Sequence, residues 1–232
     1  MGDFTVLDLA AFATFVLTWA VYHAALEWSP YAARNLNHIM ERYRHAWMHQ
    51  MLARDVRIVD TQIMATLQNG SAFFASSSLF AIGGALALLR ASEDAMRLME
   101  GLPFNIHTTR GVWELKVLGL TVMFVHAFFK FAWSYRLFNY AAIVMGSVPS
   151  SQFKDDPAAI AIANRAAKLH AIAGRHFNRG QRALFFALGY LGWFVSAWAL
   201  IATTFAVLVV MLRRQYGNEF QHLFEDDPIA FK

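Results

Sequence analysis

The sequence has no cysteine and few charged residues, and these two absences exclude several classes of protein. Without cysteine, the 232 residues cannot form a disulfide scaffold, an iron–sulfur cluster or a cysteine nucleophile. Charged residues make up only 16%, whereas hydrophobic residues make up 57% and aromatic ones 15%, which excludes a disordered or collagen-like chain. The mean hydropathy of +0.36 is also positive. We therefore expect an integral membrane protein that forms one membrane domain over residues 1–232.

Four apolar stretches are long enough to cross a bilayer, at about residues 4–28, 62–89, 112–133 and 184–212. A helix rises about 1.5 Å per residue, so each stretch reaches across most or all of a hydrocarbon core of about 30 Å. The chain begins Met1, Gly2, Asp3 and has no basic residue before Arg34, unlike a cleaved signal peptide. The sequence predicts an all-α polytopic membrane protein with four transmembrane helices.

Lys and Arg are unevenly distributed between the connecting segments. Residues 28–60 carry five and residues 134–182 carry seven, whereas residues 90–112 have three, the tail from Arg213 has three and the N-terminal segment has none. By the positive-inside rule the two basic loops are cytoplasmic and both termini are non-cytoplasmic, and we expect a bacterial inner membrane. Anionic lipids, rather than nucleic acid, are the expected partners of the basic loops.

Each basic loop is expected to contain a cytoplasmic amphipathic helix, at about 34–58 and 157–182. In the first helix, apolar residues recur with helical period on one face: Leu36, Met40, Tyr43, Trp47, Met51 and Ile58. In the second, Asp156 followed by Pro157 is typical of a helix start. Its small residues form a smooth face that is suited to packing against the first helix: Ile160, Ala163, Ala167, Ala171 and Gly174.

A polar face on the first amphipathic helix has three interpretations, of which the third is a pH-responsive surface. His38, Glu41, His45 and His49 lie on the side opposite the apolar face. The residues are simply solvated in the first interpretation. They ligate one metal ion in the second, because histidines four residues apart with a carboxylate one turn earlier have ligand spacing.

The second span carries what we call the polar seam, a set of residues that share one helical face. Its members are Gln62, Thr66, Asn69, Phe73, Ser76, Phe80 and Gly84, with Ser77 beside them. Small and hydrogen-bonding residues on one face favour helix association in a membrane. The alternative is a polar lumen, in which Gln62, Asn69 and Ser76 line a path together with Lys130 of the third span.

The remaining polar residues of the spans have weaker interpretations. Lys116 and Lys130 are expected to extend towards the headgroups, or else to favour an anion. His23 and His126 have the side chains to ligate a haem, but their depths differ by roughly 6 Å at the helical rise. Small residues in the fourth span indicate close helix packing: Gly189, Gly192, Ser196, Ala199 and Thr203.

Several motifs together resemble the membrane proteins of bacteria and plants grouped as Domain of Unknown Function 599. They are Asp60-Thr61-Gln62, the run from Asn69 to Ser76, Trp133-Ser134-Tyr135-Arg136 with Asn139-Tyr140, and the run from Phe177 to Ala183. The resemblance covers about residues 35–212. It implies a four-span membrane protein and no activity.

No enzyme motif is present, so we expect a protein that is not an enzyme and has no cofactor unless the histidines bind metal or haem. The leading hypothesis is an oligomeric pore or permeation module for a small solute or anion. The second is an accessory or assembly subunit of a larger membrane complex, and the third is a haem- or metal-binding redox protein. In the first two, the seams on spans two and four mediate assembly, as a homo-oligomer or with a partner.

Overall fold

The fold is all-α in the residues that the computed structural model describes, which are 4–28, 35–101, 108–217 and 224. The seven helices in these residues are α1 (Val6–Trp28), α2 (Leu36–Leu52), α3 (Ile58–Arg90), α4 (Ser92–Glu100), α5 (Arg110–Gly146), α6 (Pro157–Tyr190) and α7 (Ala197–Tyr216). Short 3-10 turns occupy Ser151–Phe153 and Leu191–Phe194. Four helices are long and apolar enough to span a membrane, namely α1, α3, α5 and α7, which confirms the prediction of four spans.

Helix boundaries differ from the sequence prediction at several positions. The first amphipathic helix ends at Leu52 rather than 58, and Ile58 begins α3 instead. This helix begins after the Asn35 cap, whose side chain accepts a hydrogen bond from the His38 backbone, and its predicted first residue, Arg34, lies outside the described residues. The third span continues to Gly146. The helix at 157 starts at Pro157 as predicted, with the Asp156 carboxylate accepting from the Ala158 backbone at 2.8 Å.

The predicted span at 184–212 is not one helix. The helix that begins at Pro157 continues to Tyr190, and α7 begins only at Ala197 after the 3-10 turn. Glycine permits this reversal, because a Cβ on Gly192 would lie 2.7 Å from the Ala199 carbonyl oxygen. The Thr203 hydroxyl donates to the Gly189 carbonyl at 2.6 Å, so the end of α6 and the start of α7 pack closely as antiparallel neighbours.

The first of two compact units contains Met1–Ala32, Ser77–Ala127 and Gln181–Arg214. Aromatic rings pack against each other inside this unit. Phe15 of α1 contacts Tyr190 and Phe186 of α6 at ring-centroid distances of 5.5 and 5.9 Å. The Asp8 carboxylate accepts from the Trp193 indole at 2.9 Å, whereas Glu27 accepts from Arg182 at 2.9 Å. The end of α6 is therefore antiparallel to α1 as well as to α7.

The second compact unit contains Ala33–Ser76, Phe128–Gly180 and Gln215–Lys232. Its core packs the methionines of α2 against the alanine face of α6, including Met48, Met51, Ala163 and Ala167. This confirms that the small residues of the second amphipathic helix pack against the first. The buried residues of α2 are Ile39, Met48, Met51 and Leu52, so the buried face is rotated from the predicted one.

Candidate functional site

The polar seam faces outward from α3. Gln62, Thr66, Asn69 and Ser76 are all exposed, and Ser77 is partly buried beside them. Phe73 and Phe80 are 66% and 81% exposed, and nothing lies within 4 Å of a Cβ placed on Gly84. The Thr66 hydroxyl donates to the Gln62 carbonyl at 3.0 Å, but the side-chain amides of Gln62 and Asn69 have no hydrogen bond within the described residues. The sequence placed these residues on one face correctly.

A buried carboxylate joins α2 to α3 in the second unit. Asp60 has no exposed surface, and one of its oxygens accepts from the Trp47 indole at 2.7 Å and from Arg54 at 2.9 Å. Its other oxygen has no partner within the part of the chain that is described. The contact fixes the short connection between the two helices, because Arg54 lies within that connection.

Two further hydrogen-bonded links join α3 to α5 and α6. The Gln68 side-chain amide donates to the side-chain oxygen Oδ1 of Asn139 at 2.7 Å. Ser71 and Ser134 lie 3.2 Å apart, and the Ser134 hydroxyl donates to the Ala173 backbone carbonyl at 2.8 Å. These buried and half-buried contacts use residues from the motifs on which the family resemblance was based. Three of the four motifs therefore supply side chains to a polar network between helices of the second unit, namely Asp60, Ser71, Ser134 and Asn139.

An unusual histidine lies in the same unit. His170 of α6 is fully buried, and the rings of Trp47 and Phe138 pack against it at centroid distances of 4.9 and 5.4 Å. Neither ring nitrogen has a hydrogen-bond partner among the described residues. Burial, with a smaller effect of the Arg44 charge, lowers the pKa of His170 to about 4, so the ring is neutral at pH 7.

The four residues proposed as metal ligands do not come together as a site. Within the described residues no group of three or more His, Asp, Glu or Cys side chains is positioned to hold a metal ion. The packing of α2 against α6 explains this, because Glu41 pairs with Arg175 at 2.8 Å and His49 contacts the Asn164 oxygen at 3.0 Å. His38 and His45 are partly exposed, and burial lowers the pKa of His45. This arrangement gives no support to metal binding by His38, Glu41, His45 and His49.

The histidines considered for haem have different nearest neighbours. His23 contacts Glu27 at 3.4 Å within α1, whereas the exposed His126 packs edge-on against Trp19 at 6.0 Å. Nothing in the described residues tests whether a haem is bound. The pairing of His23 with His126 therefore stays a prediction.

The lysines of α5 also differ from each other. Lys116 is 8% exposed, donates to the Trp193 carbonyl at 2.8 Å and lies 5.3 Å from the centre of the Trp193 ring. Lys130 is partly buried. Sequence reasoning missed the contacts of His170 because Trp47 and Phe138 lie far from it along the chain, and it missed those of Asp60 because no periodic pattern identifies its partners. An acidic residue at the start of an apolar run, as at Asp60, was the available signal.

Comparison with known proteins gives a family match. No curated protein and no solved structure matches the chain. A family model described as "Protein of unknown function, DUF599" matches residues 10–220, which is most of the sequence. The matched range contains the whole polar network and all four spans apart from the first residues of α1. The protein is a member of the DUF599 family.

Proposed function

We propose that this protein is a non-enzymatic assembly module of the membrane that associates with further copies of itself through the polar seam of α3. The observation that carries the proposal is the exposure of Gln62, Thr66, Asn69 and Ser76 on an apolar helix. In the most apolar 18-residue window of α3 only 11% of the residues are buried, the smallest share among the four spans. Polar side chains at such positions are usually satisfied by another helix.

A second copy suits this surface for a chemical reason. The amide of Asn69 has two donors and one acceptor oxygen, so two copies related by a two-fold axis can each donate to the other. Phe73 and Phe80 supply exposed apolar area on the same face, and the open space at Gly84 permits close approach. The corresponding set on the fourth span does not serve assembly, because Gly189, Gly192 and Thr203 already pack within the protomer.

The permeation function is the second candidate. It is favoured by Lys130, a partly buried cation with no ion pair to any described carboxylate. The polar seam argues against permeation, because a path needs polar groups along the whole span. The exposed hydroxyl and amide groups of the polar seam extend only from Gln62 to Ser76, and Phe73 interrupts them. Anion flux from an intact oligomer in liposomes, lost in Lys130→Glu, would support permeation. Copurifying proteins at fixed stoichiometry would support a subunit of a larger complex, and a Soret band would support haem.

The test of self-association is the native mass of the purified protein in mild detergent. We expect a multiple of 26.2 kDa. Asn69→Leu is expected to weaken association roughly tenfold, because an interhelical hydrogen bond in a membrane contributes about 1–2 kcal/mol at most. Thr18→Leu is the matched control, since it removes a partly exposed polar group from the apolar helix α1, outside the seam. Equal association of wild type and Asn69→Leu, with a multimer present, would exclude the polar seam as the interface.

We also propose an orientation with the N-terminal end of α1 outside the cytoplasm and the C-terminal end of α7 inside. The support is the first unit, in which the end of α6 is antiparallel to both α1 and α7. Helices α1 and α7 then cross in the same direction, which requires a fifth crossing by the end of α6 and the 3-10 turn Leu191–Phe194, a segment that is not among the four candidate spans. With five crossings the cytoplasmic face carries fifteen Lys and Arg residues and the outer face three. This is a stronger bias than in the four-crossing orientation, which places twelve on the cytoplasmic face and six outside.

Single-cysteine labelling tests this orientation cleanly because the chain has no cysteine of its own. Thr5→Cys and Ser196→Cys are expected to react with an impermeant thiol reagent from the outer side, and Gly217→Cys from the cytoplasmic side. A continuous fourth span at 184–212 predicts instead that Ser196→Cys is protected inside the bilayer. Labelling of positions 5 and 217 from the same side would overturn the five-crossing orientation.

A further inference from the structure

A partly buried cation that makes no direct ion pair among the described residues lies where α2 packs against α6. The guanidinium atoms of Arg44 lie 2.8 Å from the position that a Cβ on Gly174 would take. No hydrogen bond or ion pair to this guanidinium occurs within the described residues. The nearest acid that acts on it, Glu41, pairs with Arg175 at 2.8 Å. Burial lowers the pKa of Arg44, the negative charge of Glu41 opposes this effect, and the charge of Arg175 lowers the pKa by a smaller amount.

His170 adds a second unsatisfied group next to this cation. His170 and Gly174 lie one turn apart on α6, and Arg44 and Trp47 lie about one turn apart on α2. Because Arg44 contacts Gly174 and Trp47 contacts His170, the two contacts are neighbours. The imidazole is fully buried, and both of its nitrogens lack a partner among the described residues. Unsatisfied buried polar groups are rare in native proteins, and a bound ligand or ion often supplies the missing partner.

We propose that Arg44, together with His170 and Arg175, binds a phosphate group, supplied either by inorganic phosphate or by the headgroup of an anionic lipid. A guanidinium presents planar pairs of N–H donors that match the oxygens of a phosphate. Two arginines against one glutamate leave this surface net positive. The imidazole supplies one N–H donor in its neutral form and two when a bound anion favours its protonation.

Gly174 is required for this arrangement. Any side chain at this position would displace the Arg44 guanidinium, because the hypothetical Cβ lies closer to it than nonbonded carbon contacts allow. Gly174→Ala therefore moves the cation without removing its charge. Gly70→Ala is the matched control, since Gly70 is also helical and nothing lies within 4 Å of its Cβ.

The test is calorimetric titration of the full-length protein in detergent with inorganic phosphate at constant ionic strength. We expect saturable binding that weakens tenfold or more in Arg44→Gln and in Gly174→Ala, and less in Arg44→Lys. Gly70→Ala should bind like wild type. His170→Leu should bind more weakly while keeping the same thermal unfolding midpoint as wild type, or a higher one, in the absence of phosphate.

A second experiment tests whether the bound phosphate group belongs to a lipid headgroup. It uses the protein in nanodiscs of phosphatidylcholine with or without phosphatidic acid. A thermal unfolding midpoint that rises with phosphatidic acid in wild type but not in Arg44→Gln identifies the headgroup, and binding of inorganic phosphate identifies the free ion. The proposal is overturned if neither probe acts on wild type. It is equally overturned if Arg44→Gln, shown to be folded, responds to both probes as wild type does.

Discussion

At the scale of single residues, the buried His170 links stability to pH. Its pKa in the folded protein, about 4, lies below the ordinary value of 6.5, so the unfolded chain binds more protons between these two pH values. Stability from this residue is therefore fully present above pH 6.5 and falls as the pH decreases towards 4. The loss amounts to about 3 kcal/mol for a residue without solvent exposure.

We expect the thermal unfolding midpoint to decrease when the pH is lowered from 7 to about 4.5, and this decrease to be smaller in His170→Leu. The substitution removes the titrating ring and two unsatisfied nitrogens at similar volume. Some decrease should remain, because burial also lowers the pKa of His45. His38→Leu is the control, since His38 is partly exposed and its side chain makes no hydrogen bond or ion pair within the described residues. The same pH dependence in His170→Leu and wild type would contradict the assignment.

At the scale of secondary-structure elements, the reversal between α6 and α7 depends on one glycine. A Cβ on Gly192 would lie 2.7 Å from the Ala199 carbonyl oxygen, which is backbone and cannot move away easily. We expect Gly192→Ala to destabilise the protein by about 1–3 kcal/mol through overpacking. Gly111→Ala has open space around its Cβ and should be neutral or stabilise α5 by up to about 1 kcal/mol. Denaturant titration of both variants in detergent measures the difference.

Some features of these helices and turns could be predicted from the sequence and others could not. Long apolar runs predicted the four spans, and Asp156 with Pro157 predicted the start of α6, because these signals are local. The reversal at Gly192 was missed because residues 184–212 are uniformly apolar and glycine is common in membrane helices. The link between Gln68 and Asn139 joins residues 71 positions apart, and no periodic pattern identifies such a pair. Tertiary packing, rather than local preference, determines these features.

At the scale of the whole molecule, we propose that this member of the DUF599 family has a bilayer-facing surface that another copy completes. The polar seam is outward-facing, whereas the polar network of Asp60, Gln68 and Ser71 is used within the chain. In this proposal, helix α3 has one polar face for folding and another for assembly. Such a division would explain why a long apolar helix contains so many hydrogen-bonding residues.

Disulfide cross-linking in native membranes tests the assembly claim most directly, because it needs no detergent and the chain has no other cysteine. Ser76→Cys lies on the polar seam, whereas Leu79→Cys is equally suited to labelling but lies about 100° around α3 from the centre of the seam. We predict a cross-linked dimer for Ser76→Cys after mild oxidation and little or none for Leu79→Cys. Monomers only from Ser76→Cys, with the thiol shown to be reactive, would contradict assembly through α3.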